Sequence, residues 1–544
     1  MASGGDDAAG VGGTLTRRAR EAADGDAAGL LLAAAAVAVA AAVVSPVLWL
    51  VLRAADVGLV EAVGLATSPT AVEVLVNSLL VVALVTGGSL ALGVPLAVLT
   101  VQTDLPFGRF WTVVAALPLV VPSYLGAFAY VSAFGPRGAL ADLLAPLGVR
   151  IPTIYGLEGA VLVLTLFVYP YVFLTTRASL LSFDTTQLEA ARTLNHRYRS
   201  AFRRVVLPQI APGVTAGALL VALYALSDFG TPAIMQYDVF TRVIYVELGA
   251  FGQARATVLA LELLCVTAFV LALESRIGPE ESDGYGSAAS SSTVIELGRL
   301  RWPAMLFPAT VATFTLALPV GILAMWLLRS GPGYAGGGIA FDWAFGLNSV
   351  SASLLAALVT VVLALPIAYY AGRSDSLAAR LSERSTYVGY AMPGVVLALA
   401  LVFFGTSYAP GLYQTLPLLV FAYVVRFLPQ AVGTTRSSVL GVDGDLLGAA
   451  RTLGEPPRGA FRRVTLPLIT PGLVAGAALV FLTTMKELPA TLILHPTGFT
   501  TLVTYIWRVQ EAGYYGRAAL PALVLVAVSG LSMVLLLRQE GTDG

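Results

Sequence analysis

Long apolar runs alternate with short polar ones along this chain. A helix needs about 20 mostly apolar residues to cross a hydrocarbon layer of about 30 Å. Runs of that kind recur at 29–52, 73–101, 110–131, 158–176, 211–228 and 256–274. A polar stretch from Glu274 to Arg301, with Gly284-Tyr285-Gly286-Ser287 and Ser290-Ser291-Ser292, interrupts them and has the composition of a linker. Six more runs follow, at 304–328, 347–371, 386–405, 415–435, 468–485 and 518–537. The pattern predicts an all-α integral membrane protein of about 12 transmembrane helices, six on each side of a linker. The domains expected are 29–274 and 303–538, joined by 275–302, with a disordered tail at 1–28 and a short tail at 539–544. Arg17-Arg18-Ala19-Arg20 precedes the first run, but that run exceeds the roughly 7–15 residues of an export-signal core, so it is expected to be a retained span.

The two halves repeat each other. Ala190-Ala191-Arg192-Thr193-Leu194, Ala201-Phe202-Arg203-Arg204-Val205, Leu207-Pro208 and Pro212-Gly213 return 259 residues later. The second copies are Ala449-Ala450-Arg451-Thr452-Leu453, Ala460-Phe461-Arg462-Arg463-Val464, Leu466-Pro467 and Pro471-Gly472. Earlier in each half the offset is 271: Asn77-Ser78 matches Asn348-Ser349, Pro95 matches Pro366, and Pro122 matches Pro393. The first half therefore carries about twelve extra residues between Pro122 and Pro170, expected in the loop from Phe134 to Pro152.

Composition agrees with a membrane protein: 57% of residues are hydrophobic and 12% charged, against about 25% charged in soluble domains. Net charge is zero, so only its distribution is informative. Cys265 is the single cysteine, which excludes an intrachain disulfide or a thiolate cluster, and His196 and His495 cannot by themselves form a histidine metal site. Lys486 is the only lysine and follows Met485, so no phosphate-binding G-x-x-x-x-G-K-[ST] loop exists and ATP hydrolysis by that route is excluded. Placing the N-terminus in the cytoplasm puts 22 of the 32 basic residues in cytoplasmic segments and 8 in outer loops. That orientation is the one expected, with both termini and both basic repeats cytoplasmic. Six spans per half make the halves parallel, related by an axis along the membrane normal.

Glu189-Ala190-Ala191, the six-residue step to Asn195 and then Leu207-Pro208 resemble the E-A-A loop of binding-protein-dependent ABC importer permeases. The copy at Gly448-Ala449-Ala450, Gly454 and Leu466-Pro467 also follows the fourth span of its half, so the chain is similar to two fused permease domains. The resemblance implies that Glu189, Ala190, Ala191, Arg192, Asn195, Arg203, Arg204 and Pro208 form one ATPase-coupling loop. It implies a second from Gly448, Ala449, Ala450, Arg451, Gly454, Arg462, Arg463 and Pro467. It further implies two separate ATPase subunits holding ATP and Mg, an external substrate-binding protein, a prokaryotic inner membrane, and no cofactor or nucleic acid bound by this chain. Two departures stand out: Asn195 replaces the usual Gly, and Gly448 replaces the Glu, with Pro456-Pro457 added. Asn tolerates left-handed backbone angles, so Asn195 can serve a Gly-type turn. Independently of the resemblance, breaks at Asn195 and at Gly454 to Pro457 predict two short helices per loop, suited to a groove on a partner. The competing reading is that these arginines anchor the loop to anionic lipid.

After each basic loop the chain re-enters the membrane and reaches a polar cluster. Ser227-Asp228-Phe229-Gly230-Thr231-Pro232 and Lys486-Glu487-Leu488-Pro489-Ala490-Thr491 align at offset 259, Asp228 with Glu487. Counted from Pro212, Asp228 lies about 24 Å along its helix, toward the outer side. These strings are similar to those of ferric-iron importer permeases. Hard cations take oxygen ligands, so Asp228, Glu487, Lys486 and Ser227 are candidate pathway residues, with transient Fe(III) contact at the two carboxylates and no fixed metal. The structural alternative is that Asp228 pairs with Arg242 or caps a backbone end, and that Lys486 offsets Glu487. Asn77 and Asn348 are expected to make interhelical hydrogen bonds, and Glu262 has no assigned role.

The function expected is therefore the transmembrane permease of an ATP-driven importer, for ferric iron, with thiamine or another small solute as runners-up. An ion-gradient-driven secondary transporter is the alternative class. It would need ionisable groups near the midplane, where Glu262 is the candidate. A membrane enzyme is disfavoured by the lack of a paired nucleophile and base.

Overall fold

The computed structural model describes residues 7–135, 138, 154–182, 204, 206–277, 295–329 and 339–540. The helices in chain order are α1 (Asp7–Val57), α2 (Leu59–Ala66), α3 (Pro69–Gln102), α4 (Gly108–Ala116), α5 (Ser123–Phe134), α6 (Leu157–Leu181), α7 (Leu207–Ser227), α8 (Gly230–Ile234), α9 (Phe240–Gly249) and α10 (Gln253–Ile277). The second half supplies α11 (Pro303–Leu328), then α12 (Ala344–Arg373), α13 (Leu377–Ala391), α14 (Gly394–Ser407), α15 (Leu416–Leu440) and α16 (Gly444–Thr452). It closes with α17 (Pro457–Met485), α18 (Pro489–Leu494), α19 (Leu502–Glu511) and α20 (Tyr515–Glu540).

Among the described residues nine helices are long and apolar enough to span a membrane, and up to eleven spans result if each of two bent pairs counts as one. The apolar part of α20, Tyr515–Leu531, overlaps the twelfth expected run but is shorter than the nine. Two expectations need correction. The third run of each half is not one straight helix: α4 and α5 meet at 89°, and the second-half run is likewise broken between α13 and α14. Proline explains both breaks. Pro122 and Pro393 stand before α5 and α14 with extended backbone (ψ 138° and 143°), where a ring without an N–H stops the preceding helix. The other correction concerns the tail, which is helical from Asp7 onward. The stretch is rich in Ala and continues a helix that already exists, so it extends without a nucleation cost.

The twelve-residue surplus lies between α5 and α6. The starts of α5 and α6 are 34 residues apart, those of α14 and α15 only 22. Most of the loop to which it was assigned lies outside the described residues.

Two compact units emerge, and they do not follow the repeats. One comprises Met1–Trp49, Val350–Tyr390 and Gly411–Met485; the other comprises Leu50–Ser349, Ala391–Pro410 and Lys486–Gly544. Within the larger unit, elements of both repeats share a core. Ala129 and Ala133 of α5 pack with Ile322 and Trp326 of α11 and Ala519 of α20. The Tyr130 hydroxyl donates to the Phe314 carbonyl at 2.9 Å. Phe314 lies in a π-helical turn (Thr313–Ala317), five residues before Pro319. Proline has no N–H to offer that carbonyl, so the phenol satisfies it.

The smaller unit has a matching core of its own: Val439, Val442 and Ile469, with Leu365, Tyr369, Leu447, Leu466 and Leu473 packed around them. In each unit the helix after the basic loop lies close against the helix before it. A Cβ on Gly217 of α7 would stand 2.2 Å from Thr175 Oγ1 and 2.8 Å from Val172 Cα of α6. A Cβ on Gly476 of α17 would stand 2.6 Å from Thr434 Oγ1 and 3.1 Å from Ala431 Cα of α15. Gly213 and Gly472 meet Ser179 and Ser438 in the same way. These are glycines four apart, the small-x-x-x-small pattern that lets membrane helices touch along their backbones.

Candidate functional site

The polar clusters at the ends of α7 and α17 both lie in the larger unit. Helix α7 stops at Ser227, itself half-buried, because Asp228 turns extended (φ −72°, ψ 125°). The Asp228 carboxylate then accepts the Ser123 hydroxyl at 2.6 Å and the Thr231 N–H at 2.9 Å, the latter at the start of α8. Tyr224 donates to Ser123 at 3.1 Å, and Thr241 donates to the Asp228 carbonyl at 2.7 Å. Glu487, 6% exposed, repeats the arrangement at α18: its carboxylate accepts the Ala490 N–H at 3.0 Å, and its carbonyl accepts the Thr491 hydroxyl at 2.6 Å. Each acid thus caps the first turn of a short helix, where free N–H groups and the helix dipole favour negative charge.

The pairing with Arg242 considered for Asp228 does not form; Arg242 bonds Asp238. Lys486 reaches from its own repeat to the other, donating to the Leu119 carbonyl at 2.7 Å, beside the α4–α5 bend. The two clusters also touch: a Cβ on Gly230 would lie 2.4 Å from Tyr124 Cβ and 3.3 Å from a Leu488 methyl. Tyr124 lies among Asp228, Glu487 and Tyr224, all close enough to act on it electrostatically. The repeat could not point to Ser123 or Tyr124, because their counterparts at offset 271 are Gly394 and Val395.

Asn77 and Asn348, expected to bond between helices, both bond to connecting segments instead. Asn77 donates to the Asp238 carbonyl at 3.1 Å and accepts from Tyr237 at 2.9 Å, while Asn348 donates to the Thr500 carbonyl at 2.9 Å. Their neighbours Ser78 and Ser349 accept the first N–H groups of α9 and α19, from Phe240 at 3.1 Å and Leu502 at 2.8 Å. His495 closes α18 through the Thr491 carbonyl, 3.0 Å from Nδ1.

Of the first basic loop, Glu189, Ala190, Ala191, Arg192, Asn195 and Arg203 lie outside the described residues, whereas Arg204 is exposed and Pro208 opens α7. The second loop is fully described and lies in the smaller unit. Asp443 caps α16 by accepting the Asp445 N–H at 2.9 Å. The helix ends in a left-handed turn. Gly454 has φ +86°, its N–H bonds the Arg451 carbonyl at 3.0 Å, and the Glu455 N–H bonds the Ala450 carbonyl at 3.1 Å. This is the Schellman closure, with glycine where a Cβ would be strained. Pro456 then leads into α17, whose Pro467 is preceded by a π-helical turn at Phe461–Thr465.

Leu447 and Ala450 seat α16 on the ends of α15 and α17, and Tyr369 of α12 meets Phe461 edge-on at 5.3 Å. The opposite face is open: Gly448, Ala449, Arg451, Pro467 and Arg462 are exposed, Leu446 is 48% exposed and Leu453 86%. Arg463 is also largely exposed and pairs with Glu455. An apolar knob ringed by arginines, carried on a helix anchored to two spans, fits a surface that another protein covers.

Apolar helices in two matching sets, acids at equivalent helix ends and an exposed basic loop define a multi-pass membrane protein built from two repeats. Residues 89–279 and 364–540 each match the family described as "binding-protein-dependent transport system inner membrane component", and the chain belongs to that family. It is 31% identical over 496 residues, 90% of this chain and 94% of the relative, to the Fe(3+)-transport system permease protein FbpB 2 of Haemophilus influenzae. It is 25% identical over 80% of its length to a probable ABC transporter permease of Sinorhizobium fredii, of which 81% is covered. It is 22% identical over 84% of its length to the ferric transport system permease FbpB of Actinobacillus pleuropneumoniae, of which 69% is covered. The chain is accordingly a fused, two-repeat inner-membrane permease, not a catalytic subunit.

Proposed function

We propose that this chain forms the membrane pathway for ferric iron in an ATP-driven importer. The observation that carries the reading is similarity along nine-tenths of the chain to a relative named for Fe(3+) transport. The chemistry is compatible: two carboxylates at equivalent helix ends offer oxygen donors to a hard cation. An external binding protein delivers the iron. Two ATPase subunits, holding ATP and Mg, dock at 185–207 and 444–466, and their closure tilts the helices that the loops join. Alternating access then follows from relative movement of helices whose contacts are discrete.

The orientation has both termini in the cytoplasm. Local contacts fit the alternation of sides that it assumes, and the positive-inside charge distribution chooses between the two directions. Ile295 at the linker end exchanges backbone hydrogen bonds with Gln102 and Asp104, so the linker and the α3 end share one side. Arg53, after the first span, bonds Gln253, before the sixth, as shared exposure on the other side requires. The test is reconstitution of the chain with its ATPase and binding protein in liposomes. ATP-dependent accumulation of Fe(III) is the expected result. Transport by the chain alone, driven by an ion gradient, would sink the importer reading. ATP-dependent uptake of thiamine in place of iron would sink the substrate.

A further inference from the structure

We propose that Tyr124 is a third iron ligand, its phenolate joining Asp228 and Glu487 around Fe(III) as the ion passes. This deepens the ferric reading and rests on it. The Tyr124 hydroxyl is buried, the side chain only 5% exposed, and it has no hydrogen-bond partner among the described residues. A buried phenol normally finds a partner, because leaving one unmade costs about 1–3 kcal/mol. This hydroxyl lies instead within the field of both carboxylates. Ser123, the residue before it, holds Asp228, and Gly230 leaves room for its ring beside Leu488. An ionised acid offers about four lone-pair sites, so a carboxylate can hold hydrogen bonds and a metal ion together.

Charge balance favours the assignment. Fe(III) carries three positive charges, and two carboxylates with one phenolate carry three negative charges. A neutral assembly avoids most of the cost of an uncompensated ion in a low-dielectric interior. On binding, the phenolic O–H bond is replaced by an O–Fe bond and the proton leaves to water. No electron moves, and the iron stays ferric. Of the other ionisable neighbours, Tyr224 donates to Ser123 and Lys486 to the Leu119 carbonyl.

The experiment adds ferric nitrilotriacetate to the purified full-length chain in lipid nanodiscs. Bound iron is measured by metal analysis, and the visible phenolate-to-iron charge-transfer band by absorbance and resonance Raman. The wild type should show the band. Tyr124→Phe should lose it and bind iron about tenfold more weakly. Tyr130→Phe, altered elsewhere in the same unit, should keep it. Because Tyr124→Phe removes a hydroxyl without a partner, its melting temperature should equal or exceed that of the wild type; a marked fall would mean the hydroxyl is structural and overturn the assignment. A band that persists in Tyr124→Phe, or iron bound by the wild type without a band, overturns the tyrosine ligand and leaves the carboxylate pathway standing. A wild-type chain that retains no iron under any condition overturns both.

Discussion

Replacing Gly454 tests whether the turn after α16 sets the angle at which the second loop meets its ATPase. The residue has φ +86°, and a Cβ there would meet nothing within 4 Å. The cost of Gly454→Ala is therefore backbone strain alone, about 1–2 kcal/mol for an L-residue held in the left-handed region. If docking needs that turn, the competent population falls by the same free energy, about 5- to 30-fold. Gly454→Val should cost more, since its branched Cβ is restricted further. Gly454→Asn should cost least, because Asn visits this region most readily, and Asn195 occupies the equivalent position of the first loop. The expected order of ATPase affinity is Gly, Asn, Ala, Val, read by titrating labelled ATPase onto the permease in nanodiscs. Melting of the permease should change little, since α16 and its turn stand at the edge of the unit. A Gly454→Val variant that binds within about twofold of the wild type would refute the reasoning.

Charge reversal of the basic pairs, Arg203 and Arg204 or Arg462 and Arg463, to Glu should abolish co-purification with the ATPase while leaving the fold intact by size-exclusion chromatography; unchanged co-purification would leave the arginines as lipid anchors. Asp228→Asn should keep the α8 cap, since an Asn side-chain oxygen accepts the same N–H, and, combined with Glu487→Gln, should stop iron uptake without loosening the ATPase; full uptake by the double variant would remove both acids from the pathway. Gly217→Val should force α6 and α7 apart, because even a Cβ would stand 2.8 Å from Val172 Cα. Overpacking of this kind costs about 1–3 kcal/mol, seen as a lower melting temperature, and Gly217→Ser should fall between the two.

The sequence by itself determined the elements and their duplication. Each apolar run became helical, two of them as bent pairs, because a chain in lipid must satisfy its backbone hydrogen bonds within itself. The offsets of 271 and 259 located the insertion between α5 and α6, and Gly454 with Pro456-Pro457 marked the break after α16. All of these are local or self-comparative signals, readable without coordinates. Three further features were decided only by tertiary structure. Apolar residues face lipid as well as core in such a chain, so hydropathy does not say which side of α5 packs on α11 and α20, nor that the compact units would cut across the repeats. Pro122 and Pro393 were visible as matches, but whether a proline in an apolar helix is tolerated or breaks it depends on its neighbours. Pro95 and Pro366 lie inside intact helices, whereas Pro122 and Pro393 end theirs. The surroundings of Asp228 and Glu487 depend on residues with no repeat partner of like chemistry. Ser123 gives one acid a hydroxyl where Gly394 has none to offer, and Tyr124, just after the bend at Pro122, packs against Gly230 between the two clusters. A repeat reveals what two halves share; their asymmetry at this site is set by packing between residues distant in sequence.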